Sequence, residues 1–347
     1  VFTDRLLTFA SRKLDKNKYL DFLLELSRIL IVQGELNHSN ELLTFILDDL
    51  EEEDQLKKLH ADALYFLGDI YARQAHWKES YKCIKEAKLI YEEKEDNYGL
   101  SLCEFLLGSV YLEKGDLDSA IIRFENCLTF LNGNADEELL AKIDTNRGII
   151  EYLRGNYDNA VKFYSSALDK FEVLADLRRI AEVKQNIGMV FVQRKEYNKA
   201  LEQFDESIAI SLEGRYLQIL ALSYLHKALI YIEKSNLELA RKYADKSLEL
   251  CYQINDKLSI ADLYKLKGII SKKYKEFGLA EDYFFTSLRI NEELKNELNL
   301  AETLLELGSL YKEIDNKSES KEYYRTALNY YKKINSKKII SEIEAIL

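Results

Sequence analysis

The sequence predicts an all-α fold of stacked helical hairpins, and three observations carry that prediction. Glycine recurs every 40 residues, at Gly68, Gly108, Gly148, Gly188, Gly268 and Gly308, with Ala228 in the remaining slot. A fixed period of that length marks repeated supersecondary units, each burying its apolar face only against its neighbours. Secondly, there is no proline and there are only 13 glycines among residues dominated by Leu, Glu, Lys, Ala and Tyr, so nothing competes with helix outside the turns. Thirdly, small and large residues alternate at helical spacing inside every unit, and no strand-rich segment is needed. At 347 residues the chain exceeds an ordinary single core, a limit that does not apply to a stack growing unit by unit.

Residues 1–19 are expected to form an N-terminal helix ahead of the stack, with Val1–Asn17 as a possible linker from an upstream domain. In the first unit Gly34, Leu36, Ser39, Leu43 and Ile46 stand at positions 15, 17, 20, 24 and 27 once the register moves by one residue. Seven units then follow in one register, with the glycine as position 8. Position 1 is always small, from Ala61 and Ser101 to Ala301, and so is position 20, from Ser80 and Ala120 to Ser320. Position 11 is mostly aromatic (Tyr71, Tyr111, Phe191, Tyr231, Tyr311), and position 24 holds Ile84, Phe124, Tyr164, Phe204, Ala244, Phe284 and Tyr324. Small residues let two antiparallel helices approach, while large ones fill the space between layers. Position 17 (Trp77, Leu117, Tyr157, Tyr197, Leu237, Phe277) opens the second helix with an apolar anchor. Turns such as Lys114-Gly115-Asp116, Arg154-Gly155-Asn156 and Lys234-Ser235-Asn236 end the first helix, Gly or Asn taking the left-handed conformation. The eight units are placed at 20–335, and residues 336–347, chiefly Lys337–Leu347, form an apolar-faced capping helix.

The pattern Leu-Gly-x-x-Tyr, then a small residue at 20, an aromatic at 24 and Ala at 27, resembles the tetratricopeptide repeat over nearly the whole chain. The resemblance implies a right-handed superhelical solenoid whose first helices face a concave groove, with positions 2, 5, 6, 9, 12 and 13 pointing into it. Two departures stand out: the unit has 40 residues rather than the usual 34, and the proline near position 32 is absent. Extra residues such as Glu92-Glu93-Lys94-Glu95-Asp96 and Asn132-Gly133-Asn134-Ala135-Asp136 lengthen the second helix or its connection. This longer unit is similar to that of bacterial signalling receptors and some eukaryotic adaptors.

Composition excludes several function classes. A net charge of −11 and a pI near 5.2 argue against gripping nucleic acid through this segment. Cys83, Cys103, Cys127 and Cys251 show no CxxC pairing and lie inside predicted helices, which fits a reducing, cytoplasmic compartment. No apolar run is long enough to span a membrane, and no signal-peptide pattern is present. HExxH, GxxxxGK[ST], GxGxxG and GxSxG are missing, and His38, His60, His76 and His226 lack metal-ligand spacing. The run Glu51-Glu52-Glu53-Asp54 reads as a solvated loop. The expectation is therefore no catalytic residue, no cofactor and no metal site. The chain begins at Val1 and its only methionine is Met189, so an upstream segment is expected to have been removed or left out.

In the groove that the resemblance implies, position 6 carries Phe66, Leu106, Asn146, Asn186, His226, Leu266 and Glu306. Asn146 and Asn186 occupy the same slot in successive units, and a side-chain amide matches the N–H and C=O of an extended peptide whatever its sequence. Thr145 and Gln185 at position 5, with Lys142 and Glu182 at position 2, complete a polar cluster. Tyr65, Phe66, Phe105, Leu106, Tyr152 and Leu225 supply apolar lining, Lys142 or Arg147 could meet a carboxylate, and His226 titrates near neutrality. Tyr323, Tyr324, Tyr330 and Tyr331 offer either a dimer surface or packing of the last unit. Three functions fit these features. The chain resembles the peptide-sensing region of the quorum-sensing receptors of Gram-positive bacteria, represented by the neutral-protease and virulence regulators and the Rap phosphatases. That resemblance implies a short signalling peptide in the groove, a homodimer, and DNA contact only through a helix-turn-helix upstream. The alternatives are a general adaptor holding a partner-protein segment, or the sensor region of a larger signalling kinase or ATPase.

Overall fold

The computed structural model describes residues 2–49, 56–132, 136–333 and 337–347, and these are helical apart from the turns. The acidic run 51–54 and residues 133–135 of the Asn132–Asp136 insert lie outside them. The chain divides into two units, one ending at Arg154 and one starting at Gly155. The first holds α1 (Phe2–Lys13), α2 (Lys16–Gln33), α3 (Leu36–Asp49), α4 (Lys57–Arg73), α5 (Trp77–Glu93), α6 (Asn97–Glu113), α7 (Leu117–Leu131) and α8 (Glu137–Leu153). The second holds α9 (Tyr157–Val173), α10 (Leu177–Gln193), α11 (Tyr197–Gly214), α12 (Leu217–Glu233), α13 (Leu237–Gln253), α14 (Lys257–Lys273), α15 (Phe277–Glu293), α16 (Glu297–Glu313), α17 (Lys317–Lys333) and α18 (Lys337–Glu344).

The helix expected over residues 1–19 is interrupted. Asp15 takes extended backbone (φ −67°, ψ 166°) and its carboxylate accepts the Lys18 amide, capping a new helix that starts at Lys16.

Helix length explains the period. From α4 onward most helices have 17 residues, as in α4, α5 and α6, and are joined by three-residue links such as Gln74–His76 and Lys94–Asp96. Two such helices with two such links make 40 residues, so the residues beyond the commoner repeat are shared between both helices. Glu92 and Glu93 end α5, whereas Lys94–Asp96 form its link. From α4 onward the fully described links between helices follow one backbone course. Ala75, Glu95, Gly115, Gly155, Ala175, Lys195, Arg215, Ser235, Asn255, Lys275, Lys295 and Asp315 all have φ between 53° and 79°. At Gly115 the amide donates to Leu112 O (2.9 Å) and the next amide, Asp116, reaches Tyr111 O (2.9 Å), a Schellman closure that recurs at Ala75 and Ser235. In the third turn the left-handed residue is thus Ser235 at 57°, not Asn236. Asn236 caps α13 by accepting the Leu239 amide, as Asp96, Asp116, Asp176 and Asp256 do for their helices.

The glycine at position 8 serves packing rather than turning. An added Cβ would come within 2.6 Å of Phe124 at Gly108, 2.7 Å of Phe204 at Gly188 and 2.5 Å of Phe284 at Gly268. In these three, as at Gly308 under Tyr324, the ring is the position-24 residue of the same hairpin, sixteen residues on, whereas Gly68 meets the aliphatic Ile84 at 3.0 Å. Ala228 departs from this rule, and its position-24 partner is Ala244; both are fully buried. Methyl groups on both helices replace a glycine and a ring.

First helices pack on first helices: α2 on α4, α4 on α6 and α6 on α8 in one unit, α10 on α12, α12 on α14 and α14 on α16 in the other. Within each unit the second helices pack between first helices, α3 on α2 and α4, α5 on α4 and α6 and α7 on α6 and α8 in one, α11 on α10 and α12, α13 on α12 and α14 and α15 on α14 and α16 in the other. First helices therefore form a continuous layer in each unit. Ile339, Ile340, Ile343 and Leu347 lie with Tyr324, Leu328 and Tyr331 in one apolar cluster, α18 packing on α17.

Candidate functional site

The exposed stripe of the first-helix layer follows from helical geometry. At about 100° per residue, positions 1 and 8 fall on the face toward the partner helix, positions 5 and 12 within about 40° of it, and positions 2, 6, 9 and 13 at about 80–140°. Burial agrees: Asp62, Phe66 and Asp69, like Glu182, Asn186 and Met189, are half-buried, while Ala61, Gly68, Ala181 and Gly188 are buried.

In the first unit this stripe is apolar and acidic. Along its inner edge the position-5 rings pack inward, Tyr65 on Phe66 with centroids 5.3 Å apart and Phe105 against Phe124 at 5.9 Å. Burial pushes the Asp69 carboxyl up, although Arg73 pairs with it at 3.1 Å and Lys142 adds a favourable charge. Burial likewise raises Glu113, against the influence of Arg73. Lys142 bonds Glu138 on its own helix at 2.5 Å. Asn146 Nδ2 donates to Ser109 Oγ of α6 at 3.3 Å, linking two successive first helices. Thirty acidic and 19 basic residues fall in positions 1–154, so the whole net charge of −11 belongs to this unit.

The second unit runs from amides to ion pairs. Asn186 is half-buried, and no hydrogen-bond partner for its amide lies among the described residues. Glu182 pairs with Arg179 at 2.8 Å. His226 stacks on Phe204 at 5.4 Å and its Nδ1 is buried without a partner. Burial lowers its pKa to about 4, so the ring is neutral at physiological pH and is not the neutral-range switch that its residue type allows. Farther on, Lys265 pairs with Glu302 at 2.5 Å, and Lys272 with Glu306 at 2.8 Å and Ser309 at 3.0 Å, each joining α14 to α16.

Several expectations change. Thr145 and Gln185 are 8% and 7% exposed, because position 5 turns toward the packing face; the Thr145 hydroxyl donates to Ala141 O at 2.9 Å. They cannot line an open groove. Arg147 is at position 7, on the far side of the packing face from the stripe. At that slot Lys227 pairs with Asp205 and lies 4.6 Å from the Tyr243 ring centroid, and Lys267 pairs with Asp245 against Tyr283. Arg147 and Tyr152 are themselves half-buried and engaged. Tyr324 and Tyr331 are buried, Tyr323 stacks on Tyr311 at 5.3 Å, and Tyr330 meets Tyr331 edge-on, so these rings pack the last hairpin. Sequence reading missed the Lys227–Asp205–Tyr243 and Lys267–Asp245–Tyr283 sets, although their 40-residue spacing was available as a signal.

All four cysteines are buried, and burial pushes Cys103 and Cys127 up to about 12. Among the described residues no group of His, Cys, Asp and Glu could hold a metal ion, and no helix is long and apolar enough to cross a membrane. A shallow polar hollow at Gly155–Asn159, Arg194 and Glu196 contains none of the stripe residues.

Models of the tetratricopeptide repeat match residues 59–132, 139–213, 221–253 and 301–334, more than half the chain. None of the curated proteins matches it in sequence. Among solved structures, the apo quorum sensor NprR from B. thuringiensis is similar over 94% of this chain and 92% of its own (TM-score 0.71, 19% identity). A Rap protein complexed with Competence and Sporulation Factor is similar over 95% and 97% (0.67, 13%). The Rap conjugation gene regulator of plasmid pLS20, solved with the Phr* peptide, is similar over 92% and 96% (0.60, 15%). At these identities the likeness is one of fold. The repeated hairpin, the position-8 glycine under its position-24 ring and the matched residues place this chain in the tetratricopeptide repeat family.

Proposed function

We propose that this chain is the ligand-sensing part of a cytoplasmic signalling receptor or transcriptional regulator. It binds a short signalling peptide along the first-helix stripe and answers by changing conformation or oligomeric state. The observation that carries the reading is the unengaged Asn186 amide, placed at position 6 of a continuous first-helix layer. Support comes from the fold likeness, over more than nine-tenths of both chains, to a Rap protein solved with Competence and Sporulation Factor and to a Rap conjugation gene regulator solved with the Phr* peptide. On the second unit's stripe Glu182 contributes charge at position 2 and His226 a neutral ring beside the Asn186 amide, and on the first unit's stripe Asn146 and Lys142 stand at the matching positions 6 and 2. A peptide backbone is recognised by paired donors and acceptors, and the amide supplies both.

The test uses a displayed library of linear seven-residue peptides panned against the intact chain, followed by calorimetry on enriched sequences. Removing the Asn186 amide as Asn186→Ala should cost about 1 kcal/mol, roughly fivefold in Kd, and Asn146→Ala a similar amount. Failure of any peptide to enrich, or identical affinity in both variants, would remove the reading in favour of an adaptor for longer partner segments.

A further inference from the structure

The joints between successive hairpins are chemically unequal. Positions 27 and 31 of a second helix and position 3 of the next first helix share each joint. At α5–α6 these are Ala87, Tyr91 and Cys103, and at α7–α8 they are Cys127, Leu131 and Ile143; all are buried in apolar clusters. At α11–α12 the same slots hold Ser207, Ser211 and Ser223, and at α15–α16 they hold Ser287, Asn291 and Thr303; all six are 0% exposed. In the second unit the α9–α10 joint, Ala167, Phe171 and Val183, is apolar and buried, and the α13–α14 joint, Ser247, Cys251 and Leu263, lies between these extremes.

Neither polar seam is satisfied. Ser207 Oγ donates to Ala181 O at 2.8 Å and lies 3.2 Å from Ser223 Oγ, while Ser211 Oγ has no partner. Asn291 Nδ2 donates to Ser287 O at 3.0 Å, and Ser287 Oγ lies 3.2 Å from Thr303 Oγ1, yet Asn291 Oδ1 has no partner. An apolar joint resists opening because sliding exposes it to water. A hydroxyl seam exchanges one partner for another, and its stranded oxygens gain a hydrogen bond when water or a shifted helix reaches them. Opening is therefore easier at these two joints.

We infer that α11–α12 and α15–α16 are the two hinges of the second unit, about which the segments before, between and after them change pitch. Their use in signalling rests on the peptide-sensing function proposed above; the hinges themselves are a property of the free chain. Hydrogen exchange on the intact protein, without peptide, tests them. Amides at the start of α12 and α16 should exchange about tenfold faster than those of α10 and α14, since local opening sets the rate.

Ser211→Ala deletes a hydroxyl that has no partner, so its melting temperature should rise and exchange should slow at α12 alone. The combined Ser287→Ala, Asn291→Leu and Thr303→Val variant should do the same at α16, with a gain of about 2–4 °C. Uniform exchange across the four joints, or a lower melting temperature in Ser211→Ala, overturns the proposal. Should the triple variant fail to fold, Ser211→Ala and the exchange pattern of the parent still decide it. A protein that binds no peptide but keeps this exchange pattern would sink the receptor reading and leave the hinges standing.

Discussion

The sharpest test of the packing rule is a double-mutant cycle on Gly268 and Phe284. A methyl group at Gly268 would stand 2.5 Å from Phe284 Cε1 and 2.6 Å from Cδ1, and the ring is fully buried among Ala280, Leu307 and Leu310. Such overpacking costs about 1–3 kcal/mol, and contacts this short belong near the upper end. Alanine in a helix interior gains about 0.5–1 kcal/mol over glycine. The net loss for Gly268→Ala is therefore about 1–2 kcal/mol, a fall in melting temperature of roughly 2–8 °C for a unit of this size. Phe284→Ala alone leaves a cavity and costs about 3–5 kcal/mol. In that background the clash is gone, so Gly268→Ala should now stabilise by about 0.5–1 kcal/mol. The sign reverses, and the coupling reaches about 1.5–3 kcal/mol. The chain already contains the double replacement, as Ala228 with Ala244. Calorimetric melting and urea titration of the four proteins measure the cycle. A Gly268→Ala effect that agrees in both backgrounds within about 0.5 kcal/mol would refute the rule.

Three further outcomes are expected. Since burial holds His226 at about 4, below its ordinary 6.5, the unfolded chain takes up a proton in that interval that the folded chain refuses; stability falls as pH drops from 6.5 toward 4, and His226→Phe should flatten this part of the melting curve against pH. Glu104 is fully buried, and although burial raises its carboxyl, bonds from Lys88 (2.7 Å), Asn126 (3.2 Å) and Arg123 (3.2 Å) hold it below its usual range. Glu104→Gln strands two cations and should cost about 2–3 kcal/mol by urea titration at pH 7, the difference shrinking below pH 4.5 as the parent carboxylate takes its proton. Lys275 sits at φ 62° in its link, so Lys275→Gly should stabilise by about 0.5–1 kcal/mol, seen as a higher melting temperature.

The repeat and its register were legible because packing between close helices tolerates few residue types. Gly108 under Phe124 and Gly268 under Phe284 admit no side chain, so the 40-residue beat is written in the residues themselves. The 20-residue beat of the links was not legible. Ten of its twelve left-handed positions carry residues such as Ala75, Glu95 and Lys195 rather than glycine, because the Schellman bonds of the link hold the backbone there. Faces were legible to within one helical step, which is not fine enough for a site. Position 5 differs from position 6 by about 100°, and that single step separates buried Thr145 and Gln185 from half-exposed Asn146 and Asn186. Partners across helices, such as Ser109 for Asn146 or Asp205 for Lys227, depend on rotamers and axial offset that periodicity does not encode.

The energy scales of this architecture fit a ligand-controlled pitch. Its turn edge is laced by ion pairs and polar contacts at a constant spacing, Arg154 with Asp118, Arg194 with Asp158 and Lys234 with Asn198, and its stripe by Lys265 with Glu302 and Lys272 with Glu306. The exposed contacts of the turn edge contribute about 0–1 kcal/mol each, so they tune register without locking it. Burial at the joints sets the resistance to shear, and in the second unit two of those joints are polar. A peptide that makes two or three backbone bonds in one pitch and not in the other gains about 2–3 kcal/mol of difference, enough to shift a two-state population by roughly 30–150-fold. Where the joints were apolar throughout, as at Leu131 with Ile143, the same bonds would work against a larger loss of burial. On the proposed reading a bound peptide would act through the polar joints, which in the second unit are those of Ser211 and Asn291 with their neighbours.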